Sequence, residues 1–148
     1  MSVSARVTHM NRHTARENVF TLLYEAAFHP DREAAEIYDT AKEDRAWEDD
    51  PYLRDTFYGA VAHKAELDDC IESYSHGWKK ERISPVSLAI MELAAYEMLY
   101  CTDIPLRVSL NEAIELVKTY DEEGARPFVN GILNAIAQDA KAGRNEEE

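Results

Sequence analysis

The stretch Ser84-Pro85-Val86-Ser87-Leu88-Ala89-Ile90-Met91-Glu92-Leu93-Ala94-Ala95-Tyr96-Glu97-Met98-Leu99 decides the fold. Ser84 is a capping residue type, and Pro85 suits the first helical position, where its missing N–H would have no partner anyway. Ile83, just outside, can staple onto Leu88. From Leu88 to Leu99 the apolar side chains then cover nearly the whole helical circumference. A helix that is apolar on all sides is the buried centre of a bundle, so other helices must surround it. Glu92 and Glu97 interrupt that surface. A carboxylate in such a place reads as a structural group hydrogen-bonded to its neighbours rather than as a general acid or base.

Working outward, Pro30, Pro51, Pro85, Pro105 and Pro127 cut the chain into helical pieces. A first helix is predicted over 12–28, with Ala15, Val19, Leu22, Leu23 and Ala26 on one face. A weaker second one covers 31–45. Glu48, Asp49 and Asp50 lead into Pro51, which places negative charge where a helix N-terminus favours it. The third and longest helix follows, its seam of Leu53, Phe57, Ala60, Val61, Leu67, Ile71 and Tyr74 running to a stop near Gly77. Beyond the central helix, Ser109-Leu110-Asn111-Glu112 has capping-box form and opens a helix to about Tyr120, with Gly124 as its stop. A last helix begins near Pro127. Its Gly131 costs about 1 kcal/mol relative to Ala, which close helix packing or a backbone approach has to offset. No strand-type alternation and no internal repeat occur, so the fold class is all α, with six or seven helices.

The 148 residues fit one domain. No apolar run reaches the roughly 18 residues of a membrane span, and Met1 to Met10 holds no apolar leader core, so a cytoplasmic protein with no membrane partner is expected. Cys70 and Cys101 lack metal-finger spacing and read as reduced thiols. With five glycines and no strand there is no phosphate-binding loop, and the chain offers no nucleophile in a recognisable setting. His9 and His13 stand four apart without a third ligand. No enzyme, metal or cofactor is expected.

The net charge of −13 at first argues against nucleic acid, which is bound through Lys and Arg. Its distribution argues otherwise. Residues 1–16 contain Arg6, Arg12 and Arg16 and no acid, so a basic arm precedes an acidic body. That asymmetry fits two partners of opposite charge, although an acidic surface also serves solubility alone. Arg12, His13 and Arg16 sit at the positive end of the first helix's dipole, where cations are disfavoured, so something outside that helix must want them there. Lys79, Lys80 and Arg82 form a second, smaller basic cluster.

Several strings resemble the NusB family: Ala15-Arg16-Glu17 with Leu23-Tyr24, then Ala95-Tyr96-Glu97-Met98, Ile104-Pro105, Asn111-Glu112-Ala113-Ile114-Glu115-Leu116 and Phe128-Val129-Asn130-Gly131-Ile132-Leu133. They occur in order from about Arg12 to Ile136. The resemblance implies two packed helical lobes within 12–142, a basic arm at 1–11 and an acidic frayed tail at 143–148. It also implies transcription antitermination: binding of boxA RNA in nascent ribosomal transcripts together with NusE, the small-subunit ribosomal protein S ten, in a complex on RNA polymerase. On that reading Arg12, His13, Arg16, Lys118, Arg126 and Phe128 face RNA, with Phe128 stacking on or abutting it. Tyr24, Phe28, Glu81 and Ser87 face NusE. Two alternatives stay open: a homodimer that occludes the RNA site, and a stand-alone relative of the helical domain of RNA cytosine methyltransferases.

Overall fold

A computed structural model describes residues 10–144, in which seven α-helices and one short 3₁₀ turn occur and no strand does. The helices are α1 (Arg12–Ala27), α2 (Ala34–Arg45), α3 (Pro51–Ala62), α4 (Lys64–Ser73), α5 (Pro85–Tyr100), α6 (Leu106–Tyr120) and α7 (Ala125–Arg144), with the turn at Lys80–Arg82. Arg6 of the expected arm and residues 145–148 of the expected tail lie outside the described residues.

The central helix is α5. Ser84 Oγ accepts from the Ser87 N–H at 3.1 Å, with Pro85 behind it, as the capping argument requires. Ala89, Ile90, Met91, Leu93, Ala94, Ala95 and Met98 are all buried. Around it pack α1, α3, α4, α6 and α7, while α2 closes mainly on α1 and α3. Arg16 of α1 reaches Glu97, and Leu23 shares a cavity with Glu92, so α1 runs antiparallel to α5. Ser109 meets Glu97 and Asp121 meets Ser87, so α6 does the same. One continuous apolar cluster joins both lobes.

Three expectations change. The long third helix is broken at His63, whose φ of −106° and ψ of 18° leave the helical region, giving α3 and α4. Where the apolar seam lacks a member, Lys64 reaches Asp68 and Glu92 at 3.0 and 2.9 Å. The turn after α4 uses positive φ at His76 and Gly77. The capping box at Ser109 is not one: α6 starts a turn earlier, behind Pro105, and Ser109 is buried inside it. Both of the box's polar side chains make tertiary bonds instead, Ser109 to Glu97 and Glu112 to His13. Asp121, in extended backbone, ends α6 without help from Gly124.

The third concerns glycine. A Cβ on Gly131 would meet nothing within 4 Å, so no close packing offsets it. Gly59 is the glycine that lets helices approach, since a Cβ there would stand 2.1 Å from the Tyr96 hydroxyl. The two positions should answer Ala oppositely. Gly131→Ala is expected to stabilise by about 0.5 to 1 kcal/mol through helix propensity. Gly59→Ala should destabilise by about 1 to 2 kcal/mol, because overpacking outweighs propensity and Tyr96 is already stacked on Tyr100. Urea melts check both, and equal signs would refute the reading.

The last helix continues through Gly143 to Arg144, into the stretch expected to fray. The Arg144 guanidinium donates to the carbonyls of Met98 at 2.8 Å and Ile104 at 2.6 Å, and also to those of Glu97 and Cys101. It thereby ties the carbonyl end of α5 and the turn after it to α7, and a helix C-terminus is a favoured place for a cation. Both cysteines are free, and burial pushes the Cys101 thiol up to about 11, far from thiolate reactivity at neutral pH.

Candidate functional site

The basic end of α1 is built by its neighbours. Asn11 caps the helix, its Oδ1 accepting from the Thr14 N–H at 2.8 Å, and sets the next turns in place. Arg16 then points inward and is 5% exposed. Its Nε donates to Glu97 Oε2 at 2.8 Å and its Nη2 to Oε1 at 3.3 Å, while Ser109 Oγ and the Tyr52 hydroxyl donate to the same carboxylate. Burial pulls the Arg16 guanidinium down, but the Glu97 hydrogen bond and charge more than compensate, leaving its pKa raised. This corrects the assignment of Arg16 to RNA: its charge is taken up inside the fold, and Glu97, four bonds to its two oxygens, is the structural carboxylate that the sequence suggested.

Arg12 and His13 stay outside. His13 Nδ1 is 2.9 Å from Glu112 Oε1, a bond that, against slight desolvation, raises the imidazole pKa and favours its charged form. When protonated, its charge is matched by an acid. Arg12 lies over Tyr52, its guanidinium carbon 4.2 Å from the ring centroid.

Phe128 is half-buried at the start of α7 and meets Trp78 edge-on at 5.9 Å. With Arg82, Ser84, Ser87 and Asp121 these two rings line one open groove. Arg126 is exposed two residues before Phe128, and Lys118 is exposed on α6 with Glu115 at 3.5 Å. His13 touches α6 at Glu112, whereas the groove touches it at Asp121, nine residues on. At 1.5 Å per residue the two groups are separated by about 14 Å along α6. The candidate RNA residues therefore form two clusters, not one.

Of the residues assigned to a protein partner, Tyr24 and Phe28 are exposed, with centroids 5.0 Å apart. They extend a row of rings through Phe20 to Tyr120. Glu81 is exposed in the 3₁₀ turn. Ser87 is not available: it is buried and its hydroxyl donates to Asp121. Its carboxylate neighbour, rather than Ser87, gives that spot its charge. In the second basic cluster, Lys80 is tied back, its N–H to Glu72 at 2.6 Å and its ammonium 3.6 Å from Asp68.

Sequence reasoning missed Tyr52, Trp78 and Asp121. Their signals were weak: Tyr52 follows Pro51 on the first turn of α3, and Trp78 precedes the basic cluster by one residue. Among the described residues, no group of His, Cys, Asp and Glu could hold a metal ion, and no helix is long and apolar enough to cross a membrane.

Comparison with known proteins fits this geometry. A model described as the NusB family matches residues 13–138. The chain is 38% identical over 145 residues to the transcription antitermination protein NusB of Acetivibrio thermocellus, covering 93% of this chain and 100% of that one. To the protein of the same name from Bacillus subtilis it is 39% identical over 130 residues, covering 88% and 97%. Among solved structures, NusB of T. maritima aligns with a TM-score of 0.85 at 31% identity, over 95% of this chain and 100% of the other. A structure of the antitermination factors NusB and NusE in complex with double-stranded RNA aligns with a TM-score of 0.77 at 25% identity, over 88% and 99%.

Proposed function

Because the chain belongs to the NusB family, whose members it matches are transcription antitermination proteins, we propose that it is a non-catalytic adaptor binding boxA-type RNA together with NusE in an antitermination complex on RNA polymerase. That work places it in the cytoplasm. The observation that carries the reading is the similarity to a chain found with NusE and RNA in one complex.

The geometry supports a division of labour. Tyr24, Phe28 and Tyr120 form an exposed aromatic row of the kind enriched at protein interfaces, and the acidic body suits a basic ribosomal protein. Arg12 with His13 forms one candidate RNA contact, and Phe128 with Trp78 the other. Unpaired bases stack on aromatic side chains for about 1 to 3 kcal/mol each. With few free cations at the two candidate contacts among the described residues, the protein alone grips RNA weakly, and NusE adds surface. Coupling between the two ligands follows, and it must be reciprocal.

Labelled boxA RNA is titrated with the protein alone and with saturating NusE, next to a duplex of the same sequence. An affinity at least tenfold higher with NusE is expected. Equal affinities with and without NusE overturn the coupling, and no binding in either case overturns the function.

A further inference from the structure

We propose that Tyr52 is a positioning residue for RNA binding, holding the exposed Arg12 guanidinium in place for a phosphate; this rests on the RNA-binding reading above. Three basic side chains of α1 face three different partners. Arg16 meets Glu97 and His13 meets Glu112, so each is neutralised by a carboxylate. Arg12 meets a ring instead, at 4.2 Å. Among the described residues its guanidinium makes no hydrogen bond and no ion pair.

The difference matters physically. A carboxylate that orders an arginine also cancels its charge. The negative face of an aromatic ring orders it while leaving the net charge and all five N–H donors for an outside anion. Arg12 also stands at the first position of α1, where the helix dipole repels a cation, so a compensating partner is needed to keep it there.

Tyr52 is suited to hold. Its hydroxyl donates to Glu97, which is itself fixed by Arg16 and Ser109. The same ring lies 5.6 Å from the Arg16 guanidinium carbon. The platform is thus anchored to the core through a saturated carboxylate, and a long side chain with roughly 2 kcal/mol of rotamer freedom is ordered before RNA arrives. Preorganisation of this kind raises affinity without adding a contact to RNA.

The test is a double-mutant cycle read by boxA RNA titration across a potassium chloride series, with NusE present. Arg12→Ala is expected to weaken binding and lower the slope of log K against log salt by about 0.7, one phosphate contact's worth on a single strand. Tyr52→Leu should weaken binding about fivefold while leaving that slope unchanged, because the charge remains but is no longer held. In the Arg12→Ala background Tyr52→Leu should then change nothing, and Tyr52→Phe, which keeps the ring and loses only its tether to Glu97, should lose less affinity than Tyr52→Leu. An equal Tyr52→Leu effect in both backgrounds, or none in either, overturns the proposal while leaving RNA binding standing. If the parent protein does not bind, the RNA reading itself has failed and the proposal falls with it. Should Tyr52→Leu not fold, NMR of the parent decides: ring current must shift the Arg12 side-chain Nε–H upfield, and an unshifted resonance rules the platform out.

Discussion

Glu97→Leu lowers the free energy of unfolding by about 3 to 5 kcal/mol, the range for removing one partner of a buried ion pair. Domains of this size are stable by only about 5 to 15 kcal/mol, so a large share of the fold rests on one carboxylate. The cost arises mostly from what is left behind. Arg16 would keep a buried charge with no counter-ion, and the hydroxyls of Tyr52 and Ser109 would lose their acceptor. Restoring neutrality should recover much of the loss, so Arg16→Met with Glu97→Leu should be more stable than Glu97→Leu alone. Urea denaturation of the two singles and the double measures this. A single-mutant loss below about 1 kcal/mol, or strictly additive losses, would show that the pair does not act as a unit. The same cycle tests the reassignment of Arg16. An RNA-contacting arginine would leave stability untouched and reduce the salt slope, whereas a core arginine does the opposite.

How far the sequence reached depends on whether a residue's partner is local. The cap at Ser84, the Pro85 position and the apolar girth of α5 depend on neighbours in the chain, and each was legible. So was the structural character of Glu97, since a carboxylate in an otherwise apolar helix has to be satisfied. Its donors were not, because Arg16, Tyr52 and Ser109 lie 81, 45 and 12 residues away. The same cause explains the false capping box. Ser-x-x-Glu at 109–112 satisfies a local rule, yet both side chains are committed to other helices. Arg16 carries the same charge as Arg12, and charge alone carries no information about burial. Ser87 was misplaced for a related reason: whether it faces a partner depends on the end of α6, 34 positions on. Tyr24 and Phe28 entered only through the family resemblance, although i, i+4 neighbours share a helix face.

The second large effect is a dependence of stability on pH centred on Glu92. This carboxyl is pushed up to about 8, first by burial and then by the hydrogen bond and charge of Asp68, against the opposing pull of Lys64. Asp68 is fully buried and its Oδ1 lacks a donor, so a second full negative charge beside it at Glu92 is disfavoured. The other charges facing this pair are Lys64 from α4 and Lys80 from the 3₁₀ turn, with His29 and Arg32 on the rim of the adjoining cavity. In the unfolded chain the same group titrates near 4.5. Between those two values the folded state holds a proton that the unfolded state has released, so stability must fall as pH rises. It is greatest below 4.5 and is lost as pH passes through about 8. At 1.36 kcal/mol per unit, the loss should amount to a few kcal/mol. His13, whose raised pKa arises mainly from Glu112, acts in the same direction, but it is exposed and contributes less. Glu92→Gln keeps the shape, fixes the neutral form and should flatten the curve, making the variant more stable than the parent at pH 9 and little different at pH 5. Thermal melts of both proteins across that range provide the comparison, and parallel curves would show that Glu92 holds no excess proton in the folded state.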